Sequence, residues 1–445
     1  MSLEDKIMRV VRCRNDQTLG TLAHLLVAIS EAGGTVGEIH VVKDGAQGII
    51  RDLSVYADNE IHLDGVLSAM AANPGTRILE VRDEVLELHH RGKIAVRSRY
   101  KIDSLATLRR VYTPGVAEVC LKIARNPALA RTYTATSHLV AVVTDGTAIL
   151  GLGDIGALAG MPVMEGKAML METLVGLSGM PILLNSKDPN VIVETVATIA
   201  PTFAAIQLED ISAPRCFEIE ARLQERLQMP VMHDDQHGTA VVTTAALMSA
   251  CERGGLPLHK AVIGQIGLGA AGMAISQMLM KLTGNPILGA DISEGARARL
   301  AAAGGKPATL DEVLAQADIV ISTTGVPGLI KPEKVRKGQI ILALSNPNPE
   351  IEPEVAMQAG AAFAADGKGV NNVLGFPGIL RGAVDVDATR ITPEMYLAAS
   401  EALFAARSEG EFMPNPLDKA VHQAVARAVA LKAVEQGINR AEYVA

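Results

Sequence analysis

The chain has only four cysteines, Cys13, Cys120, Cys216 and Cys251, far apart and without a CxxC pair. That scarcity excludes a disulfide framework and a thiolate zinc site and fits a reducing compartment, so a cytoplasmic protein is expected. No apolar run approaches the ~20 residues a membrane helix needs, and the opening MSLEDKIMRV is too charged for a signal sequence. Basic runs are missing as well, and the formal net charge of −8 argues against a nucleic-acid footprint. Small molecules and other copies of the chain are the expected partners. Tryptophan is absent, yet the hydrophobic set reaches 49% and charged residues 20%, a globular and not a disordered composition. At 445 residues the chain exceeds what one core usually organises, so two or three domains are expected.

Residues 7–85 read as βαββαβ. IMRVVRC alternates, TLGTLAHLLVAISEAG is an amphipathic helix closed by Gly33 and Gly34, TVGEIHVV and IIRDLSVYA form a strand pair around Lys43 to Gly48, and IHLDGVLSAMAAN supplies a second helix. This is a small ferredoxin-like unit. It resembles the ACT family of ligand-sensing regulatory domains, and Asn15-Asp16-Gln17 with Leu19-Gly20 resembles that family's effector loop. The resemblance implies a small-metabolite effector; a purely structural dimerisation role is the alternative. Residues 87–110, rich in charge, read as a helical connector, with the first boundary placed after residue 85.

Beyond it, apolar runs (HLVAVVTDG, MPILLNSKD, FAAIQLEDI, MPVMHDD) alternate with helical segments, the pattern of a parallel sheet covered by helices. A domain over 86–239 is expected to carry substrate and metal, and one over 240–445 to be a Rossmann-type dinucleotide-binding domain with C-terminal helices. Within the latter, Gly267-Leu-Gly269-Ala-Ala-Gly272 follows an apolar strand and opens a helix, and Asp291 ends the next strand. The glycines permit a tight turn, close approach of backbone to a pyrophosphate, and helix–strand packing, while the acid binds the ribose hydroxyls. Asp291 would repel a 2′-phosphate and favour NAD over NADP, although Arg297 and Arg299 lie near enough in sequence to compete for one.

Two strand ends carry adjacent acids: QLED ends on Glu209 and Asp210, and VMHDD on Asp234 and Asp235. Oxygen ligands suit hard divalent cations, so Mg²⁺ or Mn²⁺ is expected. Helix capping would account for one pair but not for both together. At these residues a resemblance becomes specific. QLEDISAPRCFEIE followed by PVMHDDQHGTA is similar to the metal-site pair of malic enzymes, and the likeness continues in family order through VYTPGVAEVC, VVTDGTAILGLGDIG, EGKAMLM, LSNPNP and NNVLGFPGILRGA. It is the short bacterial branch that is resembled, because the long eukaryotic forms have a carboxylate-binding arginine where this chain has Thr147-Ala148.

The resemblance implies that Glu209, Asp210 and Asp235 hold the metal with Asp234 beside them. It makes Lys167 the base for the malate hydroxyl and Tyr112 the donor that protonates C3 after CO₂ leaves. Asn346 is assigned to cofactor and substrate and Asn372 to substrate. A lysine serves as a base only if its pKa is lowered, which burial or a nearby cation would do. The implied reaction is oxidative decarboxylation of malate to pyruvate by a homo-oligomer. The alternatives are a malolactic-type enzyme that retains its NAD, an NADP-preferring enzyme, and a ligand sensor with an inactive enzyme body.

Overall fold

The computed structural model describes residues 6–45, 48–149 and 151–443. Cα packing divides the chain into two compact units, Met1–Lys93 and Ile94–Ala445. In the first, β1 (Ile7–Asn15), α1 (Thr21–Glu31), β2 (Thr35–Gly45), β3 (Gly48–Ala57), α2 (Glu60–Ala72) and β4 (Thr76–Arg82) build an antiparallel sheet of order β2-β3-β1-β4. Alternate positions Val11, Cys13, Leu53 and Val55 point to the helix side and pack with Leu25, Ile29, Leu63, Val66 and Met70. The order is that of the expected ferredoxin-like unit. Part of the expected β2–β3 reversal, Ala46 and Gln47, lies outside the described residues.

The expected helical connector is corrected. Helix α3 (Glu84–His89), capped by the Asp83 side chain, stops where Arg91 and Gly92 take left-handed backbone angles of 64° and 83°. Consecutive residues there cannot continue a right-handed helix. The chain stays irregular until α4 (Leu105–Val111), whose N-cap is Ser104.

In the second unit α4, α5 (Gly115–Arg125) and α6 (Leu129–Tyr133) bury no residue. A parallel sheet of order β6-β5-β7-β8 follows from β5 (Leu139–Thr144), α7 (Met161–Val175), β6 (Ser178–Leu183), α8 (Pro189–Ile199), β7 (Ala205–Leu208), α9 (Arg215–Arg226) and β8 (Val231–His233). Its central strands are buried and largely apolar because helices cover both faces. Helix α10 (Asp234–Gly254) starts at the acids themselves and runs without a break past residues 239 and 240, where the sequence placed a domain boundary.

A second parallel sheet follows. It contains β9 (Ile263–Ile266), α11 (Ala270–Thr283), β10 (Leu288–Ala290), α12 (Glu294–Ala302), β11 (Lys306–Pro307), α13 (Leu310–Gln316), β12 (Ile319–Ser322), β13 (Ile340–Ala343), α14 (Pro353–Gln358) and β14 (Phe363–Asp366). The order β11-β10-β9-β12-β13-β14 is the doubly wound 3-2-1-4-5-6 arrangement, and its direction reverses between β9 and β12. Helices α15 (Phe376–Asp385), α16 (Pro393–Ala405) and α17 (Lys419–Glu435) close the chain. Val140 and Met164 from the first sheet layer, Ile321 and Leu342 from the second, and Phe376 and Val425 from these helices share one buried core. Among the described residues no helix is long and apolar enough to cross a membrane.

Candidate active site

At the switch point of the doubly wound sheet, Ile266, Gly267, Gly269, Asp291, Thr323 and Thr324 line a cavity of about 860 Å³. Such crevices lie at the carboxyl ends of strands, where helices point their N-termini. Gly267 needs its φ of +87°, and a Cβ at Gly272 would sit 1.9 Å from the Gly267 carbonyl oxygen, so both glycines are dictated by the turn itself. At Gly269 a Cβ would meet nothing, and the residue faces the cavity. It also caps α11 without a side-chain bond, which leaves the helix's first N–H groups to a ligand. These features fit a dinucleotide's pyrophosphate.

The Asp291 carboxylate accepts Leu268 N–H and Ser293 N–H, both at 2.7 Å, which fixes it at the cavity wall. The two arginines are placed differently: Arg297 lines the same cavity as Asp291, whereas Arg299 does not. Arg297 folds back to donate to the Asp291 carbonyl, and the Arg299 guanidinium lies over Phe217, 5.4 Å from the ring centre, beside a different cavity.

The acids meet around Lys167. Glu209 and Asp210 follow β7, while Asp234 and Asp235 form the first turn of α10 directly after β8, so two adjacent parallel strands deliver all four at one sheet edge. Asp234 and Asp235 are therefore helical and not strand-terminal residues, placed where a helix's N-terminal dipole favours negative charge. Candidate ligand oxygens of Glu209, Asp210 and Asp235 lie within 4.8 Å of one another. Asp235 Oδ2 accepts the Asp210 N–H at 2.8 Å, and Asp210 occupies the left-handed region at φ 54°, unusual for a non-glycine. Backbone held there marks a loop shaped by its surroundings.

Lys167, on the buried face of α7, donates to Asp234 and pairs with Glu209 at 2.9 Å, with its ammonium 4.5 Å from the centre of the buried Phe376 ring. Asn372 donates to Asp234 Oδ2 at 2.9 Å, and Gln207 to Glu209 Oε2 at 2.6 Å. Burial pushes the carboxyls of Glu209, Asp234 and Asp235 above their ordinary range. Two effects oppose each other at the lysine. Burial works to lower its pKa, but Asp234, Glu209 and Asp235 together outweigh it and hold the ammonium above its usual value.

This oxygen set, negative in excess of its one cation, fits Mg²⁺ or Mn²⁺. Two expected participants form no hydrogen bond to the cluster among the described residues. Tyr112, at the end of α4, is 67% exposed and makes no side-chain hydrogen bond among the described residues. Asn346 is exposed before a cis proline.

Sequence reasoning missed several neighbours. Gln207 sits two residues before Glu209 on the same strand face, a spacing that could have flagged it. Phe376 and Glu220 carry no local signal. At Thr147 the guanidinium of Arg215 supplies a cation from elsewhere in the chain. It donates to Thr147 Oγ1 at 2.9 Å and Ser212 Oγ at 3.1 Å and pairs with the buried Asp145 at 3.1 Å.

A dinucleotide cradle and a lysine–carboxylate cluster within one compact unit define the class of a dinucleotide-linked α/β oxidoreductase. Comparison with known proteins narrows it. Residues 92–224 match the family model "Malic enzyme, N-terminal domain". The chain is 54% identical over 425 residues to NAD-dependent malic enzyme 1 of Bacillus subtilis, covering 95% of this chain and 97% of that protein. It is 39% identical to an NAD-dependent malic enzyme of Geobacillus stearothermophilus, over 97% of this chain and 95% of that one. The crystal structure of malic enzyme from Pyrococcus horikoshii superposes with a TM-score of 0.76 at 40% identity, covering 81% of this chain and 92% of that one. The chain belongs to the malic enzyme family.

Proposed function

We propose that this protein oxidises malate with NAD and decarboxylates it to pyruvate and CO₂, in the cytoplasm and as a homo-oligomer. The observation that carries this reading is the buried Lys167 ammonium beside the converging oxygens of Glu209, Asp210 and Asp235. Those three residues would hold the divalent cation, which when bound polarises the substrate's C2 oxygen and offsets the field of the acids on Lys167. Asp234 and Glu209 orient the lysine toward the C2 hydroxyl, whose proton it takes as hydride leaves for the nicotinamide. Asn372, fixed by Asp234, turns its amide to a substrate carboxylate, and the buried Phe376 face excludes water beneath the lysine. Tyr112 is the proposed proton donor to C3, and Asn346 the proposed contact to substrate and nicotinamide ribose.

Asp291, held at the cavity wall by two backbone N–H groups, supports NAD over NADP, with Arg297 the one nearby cation on the same cavity that a 2′-phosphate could meet. The exposed Leu105, Leu108 and Val111 on α4 and Val116 and Leu121 on α5 supply apolar surface for a second copy to cover. Residues 1–85 are proposed as an ACT-like regulatory domain with an effector at Asn15 to Gly20, residues 86–239 as the substrate and metal domain, and 240–445 as the dinucleotide domain. Purified protein given malate, NAD and Mn²⁺ should release NADH and CO₂, faster than with NADP. Absence of metal-dependent NADH release would overturn the reading.

A further inference from the structure

Helix α9 buries Cys216, Ile219, Glu220 and Leu223, so a carboxylate occupies one position of an otherwise apolar stripe. An acid in such a place is costly unless donors surround it. Glu220 has three: the His233 N–H at 2.8 Å on Oε1, and Gln236 Nε2 and His237 Nε2, each at 3.0 Å, on Oε2. All come from the five residues 233–237, and they bracket Asp234 and Asp235 on both sides. His237 is fixed in turn, because its ring stacks on Tyr396 of α16 with centroids 4.6 Å apart and planes 6° from parallel. The junction between β8 and the first turn of α10 is thus pinned through one carboxylate. The acid stays ionised in this setting: burial pushes its pKa up, but His237 and His233 more than compensate and hold it below the ordinary range.

We infer that Glu220 is a positioning residue for the metal site, setting where the Asp234 and Asp235 carboxylates stand although it hydrogen-bonds neither of them. The inference rests on the proposed metal site and deepens it. An acidic ligand in a helix's first turn can be only as well placed as the turn, and this turn has no side-chain cap of its own at His233. Partners that orient ligands from behind typically govern ~10- to 100-fold in metal affinity.

The test is calorimetric titration of the full chain with Mn²⁺ alone, so that no turnover enters the readout. Glu220→Gln keeps size but turns an amide toward three donors, and it should weaken Mn²⁺ binding by about 10-fold or more. Glu218→Gln, an exposed acid two positions away paired with Arg222, should leave binding unchanged. Hydrogen exchange of the 233–237 amides without metal should quicken in Glu220→Gln and not in Glu218→Gln. Should Glu220→Gln fail to fold, His237→Phe keeps a ring against Tyr396, deletes one donor, and should still weaken Mn²⁺ several-fold. Mn²⁺ affinity within twofold of wild type in the folded variant overturns the inference, whatever happens to thermal stability. Asp235→Asn separates the two ideas. If it binds Mn²⁺ like wild type, the metal assignment itself falls and takes this inference with it; if it loses Mn²⁺ while Glu220→Gln does not, only the inference falls.

Discussion

The two compact units handle buried charge in opposite ways. In the first, Asp52 accepts Arg12 at 2.8 Å and Arg82 at 2.7 Å, and the side chain of the buried Asn15 is met by Arg51 and Thr76. The carboxylate there is met by two guanidinium groups, and the network lies on a partly exposed sheet face. In the second, one ammonium stands among four carboxylates at a sheet edge, with Asp234 fully buried. A folded protein tolerates such an excess only where a further positive charge is supplied, since buried charges otherwise neutralise by shifting their pKa. The raised carboxyls around Lys167 display that tension. Balanced charge marks architecture here, and unbalanced buried charge marks the place where chemistry is expected.

The contrast can be broken most sharply at its centre. Lys167→Ala removes the lone cation and the proposed base, and kcat for malate should fall by ~10²–10⁴-fold. Decarboxylation of added oxaloacetate should suffer less, and equal loss in the two assays would refute that division of labour. Next in size is Asp210→Asn, which cuts the negative excess with little change of shape. Mn²⁺ affinity and turnover should drop together, by at least the ~10- to 100-fold that a mere supporting partner costs. An unchanged metal titration would remove Asp210 from the site.

The acid at the dinucleotide cavity should give a smaller effect. Asp291→Ser should raise the NADP-to-NAD ratio of kcat/KM by about 10-fold, equivalent to ~1.4 kcal/mol. A wild-type preference for NADP would show the reading of Asp291 to be wrong. A chain beginning at Ile94 should keep metal- and NAD-dependent turnover while losing any metabolite response of the full protein, and a retained response would place the effector elsewhere.

The balanced network should yield least. Its Arg12 hydrogen bond above all, against a smaller cost of burial, lowers the Asp52 pKa. Its contribution is therefore present above the ordinary carboxylate value of ~3.9 and disappears as pH falls through the lower folded value. Asp52→Asn should cost ~1 kcal/mol or less at neutral pH, read as faster hydrogen exchange in β1 and β3. The difference from wild type should vanish in acid.

Much of this architecture is legible in the sequence where burial is uniform. VAVV of β5 and IVIS of β12 read as strands because both of their faces are covered, and the alternation in β1 reveals a sheet with helices on one side. Charge-rich stretches were harder. Residues 87–110 look helical by composition, but two left-handed residues and the lack of a burying face decide otherwise. The start of α10 was hidden because His-Asp-Asp extends the apolar run of β8, and only the packing against Glu220 distinguishes strand end from first turn. The acids themselves were conspicuous as pairs. What joins them was not, since Lys167 and Asp234 are 67 positions apart and Asn372 and Asp234 are 138 apart. No local period encodes such meetings.

Helix α10 has a further consequence as a ruler. Its 21 residues carry Asp234 and Asp235 at one end and pack along their length against α11, α16, β13 and β14 of the dinucleotide half. At 1.5 Å per residue it spans ~32 Å, and each residue turns the helix by about 100°. One inserted or deleted residue in its buried middle is thus expected to swing the acids away from Glu209. The spacing between the acids and the dinucleotide half is carried by a single uninterrupted rod.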